Sequence, residues 1–213
     1  MTDPNESVRA TSYGQTWDAT ALDRLGVWLS DYQIRRHVAD FRGKRVADFG
    51  CGYHAPFLRR VSGQTAASLA VDVSLSPDLG TVAGLTAIEG VLPGVIEEIG
   101  SESLDIVLCV SVLEHLWDPL SAIRGFRRVL APGGVALLNV PTWRGKWFLE
   151  FSAFRLGMSP PEEMDDHKAY YDPSDLWPLL VQAGFLPHNI DCSRHKFGLN
   201  TFAACRVDAA VDR

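Results

Sequence analysis

Five short apolar runs, at residues 45–50, 67–73, 86–89, 104–110 and 135–141, alternate with stretches of helical periodicity, and that alternation most limits the folds open to the chain. Each run is short, as a strand is, and reads as one. Strands separated by helices form a parallel sheet with helices packed over it, because each crossover must travel back along the sheet before the next strand starts. Two further runs, near 185–193 and 199–206, are separated only by "HKFG". That connection is too short for a crossover and predicts an antiparallel pair. A length of 213 residues suits one such domain.

The helical stretches carry their own punctuation. From Leu22, the residues Leu25, Trp28, Leu29, Tyr32 and Val38 recur at helical spacing among Asp23, Arg24, Asp31, Arg35 and Arg36, an amphipathic pattern that "FRGK" ends at Gly43. In "PLSAIRGFRRVL", residues 119–130, one face gathers Leu120, Ile123, Phe126 and Leu130, and Arg127 and Arg128 fall in the last turn, where cations suit the helix dipole. "APGG" follows as the stop. "DLWPLLVQAGF" reads as a later helix in which Pro178 must lie in the first turn or cost a hydrogen bond. Between these, residues 142–172 form a connection longer than α/β units normally use, as expected of a lid or cap.

Composition excludes several function classes. A hydrophobic share of 46%, a charged share of 22% and a mean hydropathy of +0.01 describe an ordinary globular chain. The net charge of −6 offers no basic face for a phosphate backbone, so no nucleic-acid partner is expected. Cys51, Cys109, Cys192 and Cys205 lack C-x-x-C spacing and read as reduced, mostly buried thiols rather than zinc ligands or a redox pair. "MTDPNESVRATSYGQ" has no apolar core of signal-peptide length and no run elsewhere is long enough to span a bilayer, so the expected location is cytoplasmic.

The first strand runs into "VADFGCGYHAP", residues 46–56, where Gly50-Cys51-Gly52-Tyr53-His54-Ala55 satisfies both G-x-G-x-x-A and, with Asp48, D-x-G-x-G. Either pattern needs glycine so that the chain can turn sharply and bring its backbone against a ligand, and either expects an acid about 20 residues on for ribose hydroxyls. Asp72 fills that place under both. Asp48 separates them: a carboxylate beside the turn opposes a pyrophosphate and favours a cation, such as the sulfonium and ammonium of S-adenosylmethionine. His54 stands where a third glycine is often found, and it either faces the ligand or merely precedes the helix opening at Pro56.

Together, "VADFGCG", "AVDVS", "LDIVLCVSVLEHLWDP" and "RRVLAPGGVALLNVP" resemble the class I S-adenosylmethionine-dependent methyltransferases, specifically the small-molecule branch with an L-E-H signature after the fourth strand. The resemblance covers residues 45–141 closely and 165–206 more loosely. It implies an α/β, Rossmann-like fold: a seven-stranded, mostly parallel sheet with an antiparallel last strand and a helical cap inserted between strands 5 and 6. One methyltransferase domain would span 1–213, with an N-terminal helical lid at 1–43, a donor-binding core at 44–141, the cap at 142–172, and a C-terminal helix and strand pair at 173–206. The implied donor set is Asp48, Gly50, Cys51, Gly52, Asp72, Val73, Ser111 and Val112, with Val110 beside them. Gly90-Val91 stands where the family usually has G-D, so adenine recognition falls to Glu89 or to the backbone around Val91 and Leu92.

For catalysis, His115 in "LEHLWDP" and His167 in "MDDHKAYY" are the candidate bases, with Asp165 or Asp166 available to orient His167. The alternatives are that Glu114 and His115 only tie the strand end to the next helix, and that His167 is a surface loop histidine. His195, in the last strand connection, is a weaker candidate for the same mouth. Asp165 and Asp166 read as solvated charges, the alternative being Mg²⁺ bound with a substrate diol, and no metal is expected. Trp143, Trp147, Phe151, Phe154 and Met158 form a stripe with Arg144, Lys146 and Arg155 interspersed. It is either a cap helix's inner face, an acceptor wall, or a surface for membrane or a lipid-linked substrate. Tyr13 and Trp17 either close over the donor or staple the first helix. The resulting expectation is O-methylation of a sugar or other small or carrier-linked hydroxyl acceptor, including a glycolipid met at a membrane surface. N-methylation of a small amine, non-catalytic donor binding and NAD-dependent oxidoreduction are the alternatives.

Overall fold

The structure is a computed structural model that describes residues 11–15, 20–147 and 167–209. Seven strands, β1 (Arg45–Phe49), β2 (Ala67–Asp72), β3 (Leu85–Glu89), β4 (Leu104–Val110), β5 (Leu130–Pro141), β6 (Ile190–His195) and β7 (Asn200–Arg206), form one sheet in the order β3-β2-β1-β4-β5-β7-β6. β1 to β5 pair in parallel, and β7 lies antiparallel between β5 and β6. The alternation and the short "HKFG" connection therefore predict this architecture correctly.

Helices α1 (Ala21–His37) and α2 (Pro56–Val61) contribute to the core on one face of the sheet, and α3 (Pro119–Val129) and α4 (Pro173–Gln182) to the core on the other. Strand alternation feeds both layers: Val46 joins the α1 side while Ala47 and Phe49 join the α3 side. Phe126 of α3 is fully buried with its ring 4.9 Å from that of Phe49, anchoring the second layer at the end of β1. Among the described residues, no helix is long and apolar enough to cross a membrane. Cys51, Cys109 and Cys205 are buried free thiols and Cys192 is a half-buried one.

Three local expectations differ from the structure. α1 starts on a capping box, with the Asp23 N–H donating to Thr20 Oγ1 at 3.2 Å and the Thr20 N–H donating to Asp23 Oδ2 at 2.8 Å. It ends at His37 rather than near Gly43, because Phe41 leaves the helical path to pack edge-on against Phe57 at 5.6 Å. Its buried face is Ser30, Gln33 and Ile34, while Leu25, Trp28 and Tyr32 of the expected apolar stripe are 48%, 61% and 55% exposed. The first half of α1 spans a cavity instead of lying on the sheet, so its apolar residues have no core beneath them.

β5 begins at Leu130, directly after α3, because Leu130 pairs with Leu104 before a register shift. "APGG" lies inside the strand rather than between elements. α4 starts at Pro173, where the Asp175 carboxylate accepts from the Asp172 N–H at 3.0 Å, and this early start pushes Pro178 into the helix interior. Ser174 and Pro178 are both exposed, so water can satisfy the carbonyl that Pro178 leaves without a donor.

Candidate active site

The sheet order reverses direction at β1, whose neighbours are β2 on one side and β4 on the other. Ligands of open α/β sheets bind at such a switch point, beyond the carboxyl ends of the strands. Here a cavity of about 650 Å³ opens there, floored by Asp48, Gly50, Cys51 and Gly52 after β1 and by Leu108, Val110 and Ser111 of β4, and roofed by α1. Leu25, Val27, Leu29, Ile34 and Phe57 make much of its wall apolar.

Gly50 and Gly52 take φ of 77° and 75°. A Cβ on Gly50 would stand 2.1 Å from Val112 Cγ2, and one on Gly52 would stand 3.2 Å from the Tyr13 carbonyl oxygen. The turn thus lets β4's end and the N-terminal segment press against bare backbone. The remaining left-handed residue of the loop is Ala55, at φ 42°, and not His54. His54 is exposed, does not line the cavity, and accepts through its carbonyl from Arg59 Nε at 2.8 Å just ahead of α2.

Asp48 is 6% exposed on the α1 side of β1. Burial raises its pKa from 3.8 to about 7, repulsion from Asp72 and Asp31 adds to the shift, and Arg60 opposes it. Asp31, on α1 at the cavity wall, is raised as well by burial, against the lowering influence of Arg60 and Arg35; Arg60 and Asp31 form an ion pair. Such a carboxylate favours a cation in its pocket, since a cation restores the stability that burial removes from the ionised form.

Asp72, at the end of β2, accepts the Gly52 N–H through Oδ2 at 2.8 Å and the Val73 N–H through Oδ1 at 2.8 Å. Ser12 also donates to Asp72 Oδ1 at 2.5 Å, with its oxygen 2.6 Å from the Ser74 carbonyl and 3.0 Å from the Ser74 N–H. The segment continues over the glycine turn, where the Tyr53 N–H donates to the Tyr13 carbonyl at 2.9 Å. No local signal in the sequence points to Ser12, because its partner lies 60 residues away. Tyr13 was expected to close here or to staple α1, and it lines the cavity; Trp17 lies outside the described residues. Glu89 turns towards the β2 loop and accepts the Leu75 N–H at 2.7 Å.

At the far end of the cavity, the Glu114 carbonyl accepts from the Lys168 N–H at 2.7 Å and the Ala169 N–H at 3.2 Å. This anchors the chain returning from the long connection and sets the His167 ring 4.7 Å from that of His115. His167 Nδ1 lies 3.1 Å from Tyr170 Oη. Glu114 is almost fully buried, and ligand-type atoms of Glu114, His115 and His167 lie within 4.8 Å of one another. That spacing admits a proton relay or a shared cation, although the sequence suggests no metal. Asp165 and Asp166 lie outside the described residues, as do Phe151, Phe154, Arg155 and Met158. Trp143 and Trp147 are 50% and 77% exposed, with Trp143 against Tyr170 at 5.4 Å.

The structure thus gathers Asp48, Gly50, Cys51, Gly52, Ser111, His115 and His167 around one cavity. Asp72, Val73 and Val112 stand behind that wall, Val112 packed on Gly50. His195 does not line it; this ring packs edge-on to Phe202 at 5.9 Å, and burial, then Lys196, lower its pKa to about 4. Its neighbour Lys196 enters the cavity instead.

A family model described as a methyltransferase domain matches residues 31–188, about three quarters of the chain. The chain belongs to the methyltransferase-domain family. Over 202 residues this methyltransferase is 28% identical to a ubiquinone biosynthesis O-methyltransferase of Vibrio vulnificus, a match covering 88% of this chain and 85% of that one. Over 158 residues it is 30% identical to the same-named protein of Aliivibrio fischeri, covering 70% and 66%. Its fold is shared with a SAM-dependent methyltransferase from Archaeoglobus fulgidus, with a TM-score of 0.61, 14% identity and coverage of 84% and 93%. The protein is accordingly a methyltransferase, and its fold is that of SAM-dependent methyltransferases.

Proposed function

We propose that this methyltransferase methylates a hydroxyl of an acceptor seated in the cavity between the glycine turn and the paired histidines. The observation that carries the reading is the cluster of His115, His167 and Glu114 on the cavity wall that also contains Gly50 to Gly52. A hydroxyl must lose its proton as its oxygen is alkylated, and an imidazole titrates in the range where this is possible at neutral pH. The relatives named for O-methylation support the same class of acceptor atom.

S-adenosylmethionine, when bound, supplies a methyl group already activated by a sulfonium. Asp48 would hold its cationic methionine end, the Gly50–Gly52 backbone would pass beside it, and Asp72 would accept its ribose hydroxyls once Ser12 yields Oδ1. Val110 and Ser111 border the same space. His167, fixed through Tyr170, takes the acceptor's proton, and Glu114 stabilises the imidazolium that results. Positioning supplies most of the rate, because the reacting atoms need only be held in line. The apolar wall suits an acceptor with an aromatic or aliphatic body better than a bare sugar.

The test is a methylation assay with labelled donor against phenols, sugars, nucleotide sugars and glycolipids. His167→Ala should lower turnover at least about 100-fold, the usual worth of a general base, with S-adenosylhomocysteine affinity unchanged by calorimetry. Full turnover in that variant removes His167 from the mechanism. A second reading follows from the same spacing: a divalent cation shared by Glu114, His115 and His167 would lower the hydroxyl's pKa by coordination. Turnover abolished by EDTA and restored by added Mg²⁺, Mn²⁺ or Zn²⁺ selects this reading over the relay.

A further inference from the structure

Lys196 has a placement that methyl transfer does not require. It stands at the tip of the β6–β7 hairpin, where Lys196, Phe197 and Gly198 take successive φ of 48°, 59° and 83°. For two residues with side chains this is a costly conformation, sustained only where the surrounding structure imposes it, and it turns one of them inwards. Phe197 is 87% exposed at the rim, whereas Lys196 lies along the cavity wall with its Nζ against α1. There α1 carries Gly26, and a Cβ on that glycine would stand 3.8 Å from Nζ. A glycine inside a helix weakens it, and here it leaves the roof bare beside the ammonium.

Burial lowers the Lys196 pKa from 10.5 to about 8, while the Glu114 carboxylate draws it back up, so the group stays mostly charged at neutral pH. Among the described residues, its Nζ forms no ion pair and no hydrogen bond. Among those that line the cavity, it is also the only Lys or Arg, facing Asp23, Asp31, Asp48 and Glu114 at other points of the wall. Glu114 attracts this ammonium without forming an ion pair with it, so a ligand oxyanion in contact with Nζ gains from the pairing.

We propose that Lys196 recognises the acceptor: its ammonium pairs with an anionic oxygen group, a carboxylate or a phosphate, on an otherwise apolar, hydroxyl-bearing molecule. The inference rests on the acceptor entering the cavity assigned above. One cation on a wall whose other charges are acidic fixes orientation as well as affinity, because the anionic end has a single favourable place and is repelled from the rest. Lys196 thereby acts as a specificity residue, distinct from the histidines that take the proton.

Calorimetry at pH 7 on the S-adenosylhomocysteine-loaded protein tests this with matched pairs: 3,4-dihydroxybenzoate and its amide, a hydroxy fatty acid and its amide, and 4-hydroxyphenyl phosphate and its neutral dimethyl triester. A charge-assisted contact predicts that at least one anion binds about 10- to 100-fold more tightly than its neutral partner. The carboxylate and phosphate arms identify which anion is used. In Lys196→Met the preference should fall to about one-fold with S-adenosylhomocysteine affinity retained, and Lys196→Arg should keep part of it. The proposal is overturned if no anion is preferred by the wild-type protein, a result that holds even where a variant does not fold, or if the preference survives in Lys196→Met. Binding is read without turnover, so absence of methylation would count against the hydroxyl reading and leave this one standing.

Discussion

With the donor's cationic end seated on Asp48 as proposed, the buried carboxylate at the end of β1 would make donor binding a proton-linked event. Asp48 has its pKa raised to about 7 by burial and by the neighbouring acids Asp72 and Asp31. A cationic donor should return it to the ionised form and release a proton. With a folded pKa near 7, about 3% of this carboxyl is ionised at pH 5.5 and about half at pH 7.0, so donor affinity should rise about 15-fold between them. This window stays below the titration of the donor's own amino group, near 7.7–8.0 for an α-amine. Calorimetry in two buffers of different ionisation enthalpy should find about 0.9 proton released per donor bound at pH 6. Asp48→Asn should abolish the slope and bind the donor about 10- to 100-fold more weakly at pH 7, the worth of a charge-assisted contact. For the free protein the sign reverses: a raised acid pKa contributes stability that is full below pH 4 and lost as pH climbs through 7, by at most about 4 kcal/mol for a shift of this size. Asp48→Asn should therefore gain on wild type in melting temperature as pH rises from 5 to 8. Equal donor affinity at pH 5.5 and 7.0, or an unchanged slope in Asp48→Asn, would refute the assignment of Asp48 to the cation.

Two further outcomes are expected from local geometry. Gly50→Ala places a methyl 2.1 Å from Val112 Cγ2 at a φ of 77°, so thermal denaturation should show a loss of about 1–3 kcal/mol. Val112→Ala in the same chain should recover part of it, and no recovery would locate the cost in the backbone alone. Pro178→Ala restores a donor for the Ser174 carbonyl in the interior of α4 and should raise stability by about 1–3 kcal/mol, read as an increased melting temperature.

The periodicity read from α1 shows where local pattern stops being informative. Leu25, Trp28, Leu29 and Tyr32 have the spacing of a core-facing stripe, yet three of them are exposed because that half of the helix roofs a cavity. Pro178 takes the costlier of its two places, inside the helix, because Pro173 and Asp175 set the helix start and a cap outweighs the preference of a later proline. His195 and Lys196 are adjacent in sequence and differ completely in role, since the left-handed turn of the hairpin sends one ring onto Phe202 and the next side chain into the cavity.

Much of what repeats along the chain or sits within one turn is legible without the fold. The alternation of apolar runs with helices specified a covered parallel sheet, the short "HKFG" connection specified the antiparallel end, and Asp48, Gly50 and Gly52 specified a turn suited to a cation. These features are local, and covalent geometry and solvent exclusion act on them wherever they occur. The packed fold alone brings Ser12 to Asp72, sets His167 against His115 across 51 intervening positions, and stands Lys196 opposite Gly26. Those meetings depend on the direction change at β1, on β7 inserting beside β5, and on where the chain returns to Glu114. Such properties arise from the packing of whole elements, and no residue's spacing along the chain encodes them.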